Sequence, residues 1–135
     1  MGLVVIDTNI VLDLFLFLDA SQGSLRQALG DRRLTWIATP AMQQELAFVL
    51  ARESTQQQAR KRGTSTHDVM QAMEDQVSWV SCAPVCAFRC KDRTDQGFVD
   101  LAFFHQSLLI SKDKAILKLA KRLSAVGVEV TSSLE

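Results

Sequence analysis

The sequence predicts a three-layer α/β/α sandwich with a central, mostly parallel sheet of four to five strands. Short apolar runs rich in β-branched residues recur along the chain, and helical patterns separate them. Strands that alternate with helices pair in parallel through crossovers. No repeat, linker or low-complexity tract breaks the pattern, and 135 residues of 47% hydrophobic composition suffice for one continuous core. A single domain over residues 1–135 is expected.

Leu3 to Ile6 is a continuous apolar run, as a strand covered on both faces requires. Thr8 to about Leu18 suits a helix, with Thr8 or Asn9 available as its cap. Gly23 and Gly30 bracket a short helix, SLRQAL, and Leu34 to Ala38 reads as a second strand ending before Pro40. Pro40 opens a helix over Ala41 to about Arg52. Residues 53–66 are polar and predict a loop or an exposed helical continuation, after which His67 to Val80 resumes helical periodicity through Met70, Met73 and Val77. A third strand is expected around Pro84 to Phe88, and a helix from about Asp95 to Gln106. A strand over Leu108 to Ser111, a helix over Asp113 to Leu123 and a last strand over Val126 to Val130 complete the set.

Fifteen Lys and Arg balance fifteen Asp and Glu, so no overall positive field advertises a nucleic-acid binder. Any such role must come from local clusters. The apolar N-terminal stretch lacks a basic n-region and is interrupted by Asp7 and Asp13, short of the ~18 apolar residues a membrane span needs. Cys82, Cys86 and Cys90 are an odd set within one segment, unlike a secreted disulfide framework, and their spacing is not that of zinc ligands. A reducing cytoplasm is the expected compartment, with no membrane partner.

Four acids break the hydrophobic pattern. Asp7 follows LVVI and Asp113 follows LLIS, which places both at carboxyl ends of strands, where ligands bind in open parallel sheets. Each also sits where an Asp would cap a helix. Glu45 has Ala41 and Met42 before it and Phe48 and Val49 after it at helical spacing, so it falls in the apolar stripe. A buried carboxylate there needs a cation, a partner or a cavity. Asp95 precedes Phe98, Val99 and Ala102 at i+3, i+4 and i+7, at the start of a buried helical face. Acids gathered at one sheet edge repel one another unless cations neutralise them, and an all-oxygen site suits Mg2+ or Mn2+. Such ions support in-line hydrolysis of a phosphodiester without a protein nucleophile.

These residues resemble the PIN-domain family. LVVIDTN is similar to the family's strand followed by D-T-N, and QQELAFVL to the helix with the second acid. DRTDQGFVDLAFFH and LLISKDKAIL are similar to its D-rich helix start and its strand ending in T-x-D. The matches run in family order over nearly the whole chain. The resemblance implies a metal-dependent ribonuclease in which Asp7, Glu45, Asp95 and Asp113 bind Mg2+ or Mn2+ and act on RNA. It sets Ser111 where a threonine commonly supports the first aspartate, and Asn9 as the orienting residue of the D-T-N turn.

The nearest subgroup is that of toxin components of toxin-antitoxin pairs, which implies an antitoxin protein as partner. There a run resembling D-P-D-D-D precedes the helix; here Asp92, Arg93, Thr94, Asp95 and Gln96 stand instead, so the number of metals is left open. Asp92 rivals Asp95 as the third acid, with Asp95 preferred for its helical register. Asp100 lies off the Phe98 and Ala102 stripe and is expected on a solvated or salt-bridged face. Lys112 would contact phosphate or pair with a carboxylate.

A response-regulator-like phosphoryl-transfer domain would also carry strand-end acids, but it wants an acidic pair after the first strand and a Lys after the last, and both are missing. A PIN-fold module that binds RNA or a partner without turnover is the main alternative. Arg60, Lys61, Arg62, Arg89, Lys91, Arg93 and the lysines after Ser111 could flank the pocket and hold phosphates. LDLFLFL has more large apolar side chains than one core contact uses, which points to a homodimer or partner surface on the first helix.

Overall fold

Side chains alternate along a strand, so a strand that is apolar throughout must be covered on both faces. A computed structural model, which describes residues 2–134, resolves this into layers. Its elements are β1 (Gly2–Ile6), α1 (Thr8–Phe15), α2 (Gly23–Gly30), β2 (Leu34–Ala38), α3 (Pro40–Ala51), α4 (Glu53–Arg62), α5 (Thr66–Gln76), β3 (Val77–Trp79), α6 (Gln96–His105), β4 (Leu108–Ile110), α7 (Lys114–Leu117), α8 (Ala120–Ala125) and β5 (Val130–Thr131). The five strands form one sheet in the order β3-β2-β1-β4-β5, and every neighbouring pair is parallel.

Val4, Ile6, Trp36, Ala38 and Ile110 face one core, shared with α1 to α5, whereas Val5, Ile37 and Leu109 face a second core built with Phe98, Val99, Leu101, Ile116 and Leu123. The result is the expected α/β/α sandwich. From β1 the chain runs outward through β2 to β3, then returns across β1 to β4 and on to β5. The direction reverses between β1 and β4, and the crevice beyond the carboxyl ends of strands at such a reversal is where α/β sheets bind ligands.

Local chemistry explains the helix boundaries that matter for the site. Thr39 caps α3 by accepting from the Met42 amide at 3.3 Å, and Pro40 takes the first helical position, where its missing N–H costs nothing. Gly63 ends α4 at φ 70°, a left-handed conformation suited to glycine.

Several elements differ from the sequence reading. The first helix stops at Phe15, because the Leu16 and Phe17 amides both return to the Leu12 carbonyl and Leu18 turns the chain at φ 51°. The third strand is Val77–Trp79, directly after α5, and not residues 84–88, which run as an irregular loop. The helix expected from Asp113 to Leu123 breaks into α7 and α8, where the Leu119 amide bonds back to Ile116. The last strand begins only at Val130, after a turn through Gly127 at φ 89°.

Most apolar side chains of α1 pack within the domain. Ile10, Val11, Leu12 and Leu14 are buried, Phe15 stacks on Trp36 at 6.0 Å, and Phe17 lies half-buried beneath the Arg62 guanidinium. Phe48, expected in the buried stripe beside Glu45, is instead 70% exposed under the Arg52 guanidinium. The stripe of α3 therefore runs through Met42, Leu46, Val49 and Leu50. Glu45 sits at its half-buried edge. No helix among the described residues is long and apolar enough to cross a membrane.

Candidate metal centre

β1 and β4 lie side by side, with Ile6 opposite Ile110, so the residues that follow them meet. Asp7 is buried at the end of β1, and Ser111, fully buried at the end of β4, donates its hydroxyl to Asp7 Oδ2 at 2.6 Å. The same Ser111 oxygen accepts from the Asp113 amide at 3.0 Å. Asp113 in turn accepts from the Ala115 amide at 2.8 Å through Oδ1, capping α7. Both readings of Asp113, cap and site acid, are thus compatible in one carboxylate, since its second oxygen stays available.

Asp95 approaches from the start of α6. It is buried, and its Oδ2 has no hydrogen-bond partner among the described residues. Carboxylate oxygens of Asp92, Asp95 and Asp113 lie within 4.8 Å of one another. Burial first, and then the charges of Asp7, Asp113 and Asp92, push the Asp95 carboxyl up to about 7. Asp7 is also raised, by burial, against the opposing effect of Ser111 and the Thr8 and Asn9 amides. Glu45 reaches the group from α3, where its Oε2 accepts from the Thr8 hydroxyl at 3.1 Å. Burial raises its carboxyl too, with the charges of Asp7 and Asp92 adding to the effect.

The four acids singled out in the sequence lie near enough for their charges to act on one another, with Ser111 joining Asp7 to Asp113, but the tightest group is Asp92, Asp95 and Asp113, with Asp7 and Glu45 outside it. Asn9 is exposed, and its backbone amide, not its side chain, acts on Asp7. Asp92 lies in the loop before α6, as the register suggests, yet its carboxylate still reaches Asp95 and Asp113. Its own turn is set by the Thr94 amide and hydroxyl, which donate to Oδ1 at 3.0 and 2.7 Å and hold its carboxyl below the ordinary value. Thr8, read from sequence as a cap, is the link between Glu45 and the strand ends.

Asp100 departs from the sequence expectation, and Lys112 follows one of its two readings, a carboxylate pair. Asp100 is buried rather than solvated; its Oδ1 accepts from the Cys86 amide at 2.9 Å and Gln96 Nε2 at 2.8 Å, fastening the loop after β3 onto α6. Lys112 pairs at 2.7 Å with buried Asp13, away from the site acids, so it does not compete for their charge.

A buried carboxylate oxygen without a partner costs free energy, and three acids this close cannot all stay ionised without a counter-charge. The donor set is all oxygen and fits a hard divalent cation. Carboxylates gathered at the switch point of a parallel sheet define an α/β fold with a candidate cation site. In a comparison with protein families, the PIN domain matches residues 3–115, a span that includes every one of these acids. The chain belongs to the PIN domain family, whose members are generally divalent-cation-dependent nucleases. A search of curated proteins gives no match.

Proposed function

We propose that this protein is a Mg2+- or Mn2+-dependent ribonuclease that hydrolyses RNA phosphodiesters, and that it is the toxin component of a toxin-antitoxin pair in the cytoplasm. The observation that carries the catalytic reading is the unpartnered Oδ2 of buried Asp95, close to Asp92 and Asp113. The toxin reading rests on the resemblance of the segments around Asp7, Glu45, Asp95 and Asp113 to that subgroup. It implies an antitoxin protein as partner; a second copy of the chain, against the half-buried Phe15 and Phe17, is a separate proposal.

Asp7, Glu45, Asp95 and Asp113 would hold the cation, with Asp92 beside Asp95 and Asp113. When bound, it supplies a water acidified for attack and charge stabilisation for the phosphodiester. The chain's own residues set the geometry: Ser111 fixes the Asp7 carboxylate, Thr8 fixes Glu45, and Asp113 is locked by the α7 amide it caps. Burial and the neighbouring acids raise the proton affinity of Asp95, and a cation held there would favour its ionised form. Arg89, Lys91 and Arg93, exposed on the loop that carries Asp92, are placed to hold backbone phosphates of the RNA.

The test compares identically purified wild type and Asp7→Asn on one labelled single-stranded RNA. Cleavage should need Mg2+ or Mn2+ and stop in EDTA, and Ca2+ should support little turnover. Asp7→Asn keeps side-chain volume and removes an anchoring charge, so a loss of about 1000-fold is expected, ~1.4 kcal/mol being each factor of ten. Equal cleavage by both proteins, or undiminished cleavage in EDTA, would reject catalysis and leave an RNA- or partner-binding module.

A further inference from the structure

Between the N-terminal halves of α3 and α6 the structure holds a cavity of about 350 Å3 that the carboxylate chemistry does not use. Its walls are apolar on most sides, from Ala41, Met42, Ala83 and Phe98, and Gly97 leaves one side open. Glu45 belongs both to this wall and to the acid crevice, so the two spaces are continuous. At the other end stands Asp100, buried yet part of the cavity wall. The Cys86 amide and Gln96 Nε2 both donate to Oδ1, the Cys86 thiol also bonds to this carboxylate, and Asp100 lines a neighbouring space beside Arg89 and Arg93 as well.

We infer that this cavity receives one nucleobase of the RNA strand next to the scissile phosphate, and that it prefers guanine. This deepens the ribonuclease reading and rests on it. A cavity apolar on most sides, with the Glu45 and Asp100 carboxylates and the Thr39 and Thr94 hydroxyls also on its wall, suits a base turned out of a single strand, which packs on its faces and is read along its edge. A carboxylate only accepts hydrogen bonds, so it selects an edge that offers donors. Guanine presents N1–H and the N2 amino group side by side. Adenine, cytosine and uracil each place a ring nitrogen or carbonyl acceptor next to their donor on that edge, and that lone pair would face the carboxylate.

Gly97 provides a clean test. A Cβ built there meets no heavy atom within 4 Å, and the position is helical, so Gly97→Leu fills the cavity while favouring the helix. Wild-type protein should cleave otherwise identical RNAs about tenfold faster when guanine, rather than inosine, adenine or uracil, flanks the cleaved bond. Gly97→Leu should cut all of them at one common low rate, with an unchanged circular-dichroism spectrum and Mn2+ affinity. In EDTA, where no cleavage occurs, guanosine monophosphate should shift the amide resonances of Ala83 and Gly97 more strongly than uridine monophosphate does.

The two readings fail separately. Base-independent cleavage by wild type, or wild-type kinetics in Gly97→Leu, overturns the base pocket and leaves the nuclease standing. Selective guanosine monophosphate binding without any cleavage keeps the pocket and overturns the nuclease. Absence of both effects overturns both.

Discussion

Ser111 donates its hydroxyl to Asp7 Oδ2 across a distance of 2.6 Å, although 104 residues separate the two in sequence. One buried oxygen thereby orients the acid after β1 and accepts the amide that begins the turn to Asp113. Supporting hydrogen bonds of this kind commonly change metal affinity or activity by about 10- to 100-fold. Ser111→Ala should therefore lower both RNA cleavage and Mn2+ affinity by about that factor while the fold persists. Ser111→Thr, which keeps the hydroxyl, should retain most of both. Calorimetric titration with Mn2+ beside single-turnover cleavage checks the pair.

Asp95 has a second, pH-dependent consequence. Its folded-state value of about 7 lies above the ordinary 3.8, so the folded state binds its proton more tightly than the unfolded chain does. The stabilisation is fully present below about pH 4 and is lost as pH rises through about 7. Asp7 and Glu45 are raised and act in the same sense. Thermal unfolding in EDTA should show Tm falling between pH 5 and about 8. Asp95→Asn should flatten that fall, and Mg2+ should restore the loss in wild type only.

Lys112 and Asp13 form a pair in which the acid is 6% exposed and the lysine 50% exposed. Lys112→Met leaves a buried carboxylate without its cation and should cost about 2 kcal/mol in urea denaturation. Adding Asp13→Leu should recover most of that loss, because the uncompensated charge is gone. Recovery would separate this pair from the site acids, which it resembles only in sequence proximity.

Two glycines should respond with opposite signs. Gly63 sits at φ 70°, so Gly63→Ala strains the end of α4 and should cost about 1 kcal/mol. Gly23 is right-handed, at φ −58°, with open space around it. Gly23→Ala should stabilise by about 0.5 kcal/mol. Denaturant midpoints for both variants decide it.

β2 was legible to the residue because an apolar run ending at Thr39-Pro40 is bounded by its own chemistry. The acids were legible because each interrupts an apolar pattern. β3 was not, since Val77–Trp79 continues the periodicity of α5 and becomes a strand only through pairing with Trp36, Ile37 and Ala38. Asp100 looked like a surface acid because the donors that make its burial tolerable are a loop amide and a glutamine brought in by folding. Asp92 illustrates the same limit: helical register separates it from Asp95, and only the shape of the turn through Thr94 brings the two carboxylates together.

The strand order also sets a timetable for the acid crevice. β1 pairs on one side with a strand that follows it closely, and on the other with β4, reached only after α6. A growing polypeptide therefore carries Asp7 and Glu45 long before Ser111 and Asp113 exist to complete the group. Segments emerging from a ribosome in order can build the β1-β2 half of the sheet early, but the crevice closes only when β4 slots in beside β1. If the protein cuts RNA, then its topology keeps it harmless to its own messenger until β4 and Asp113 have been made.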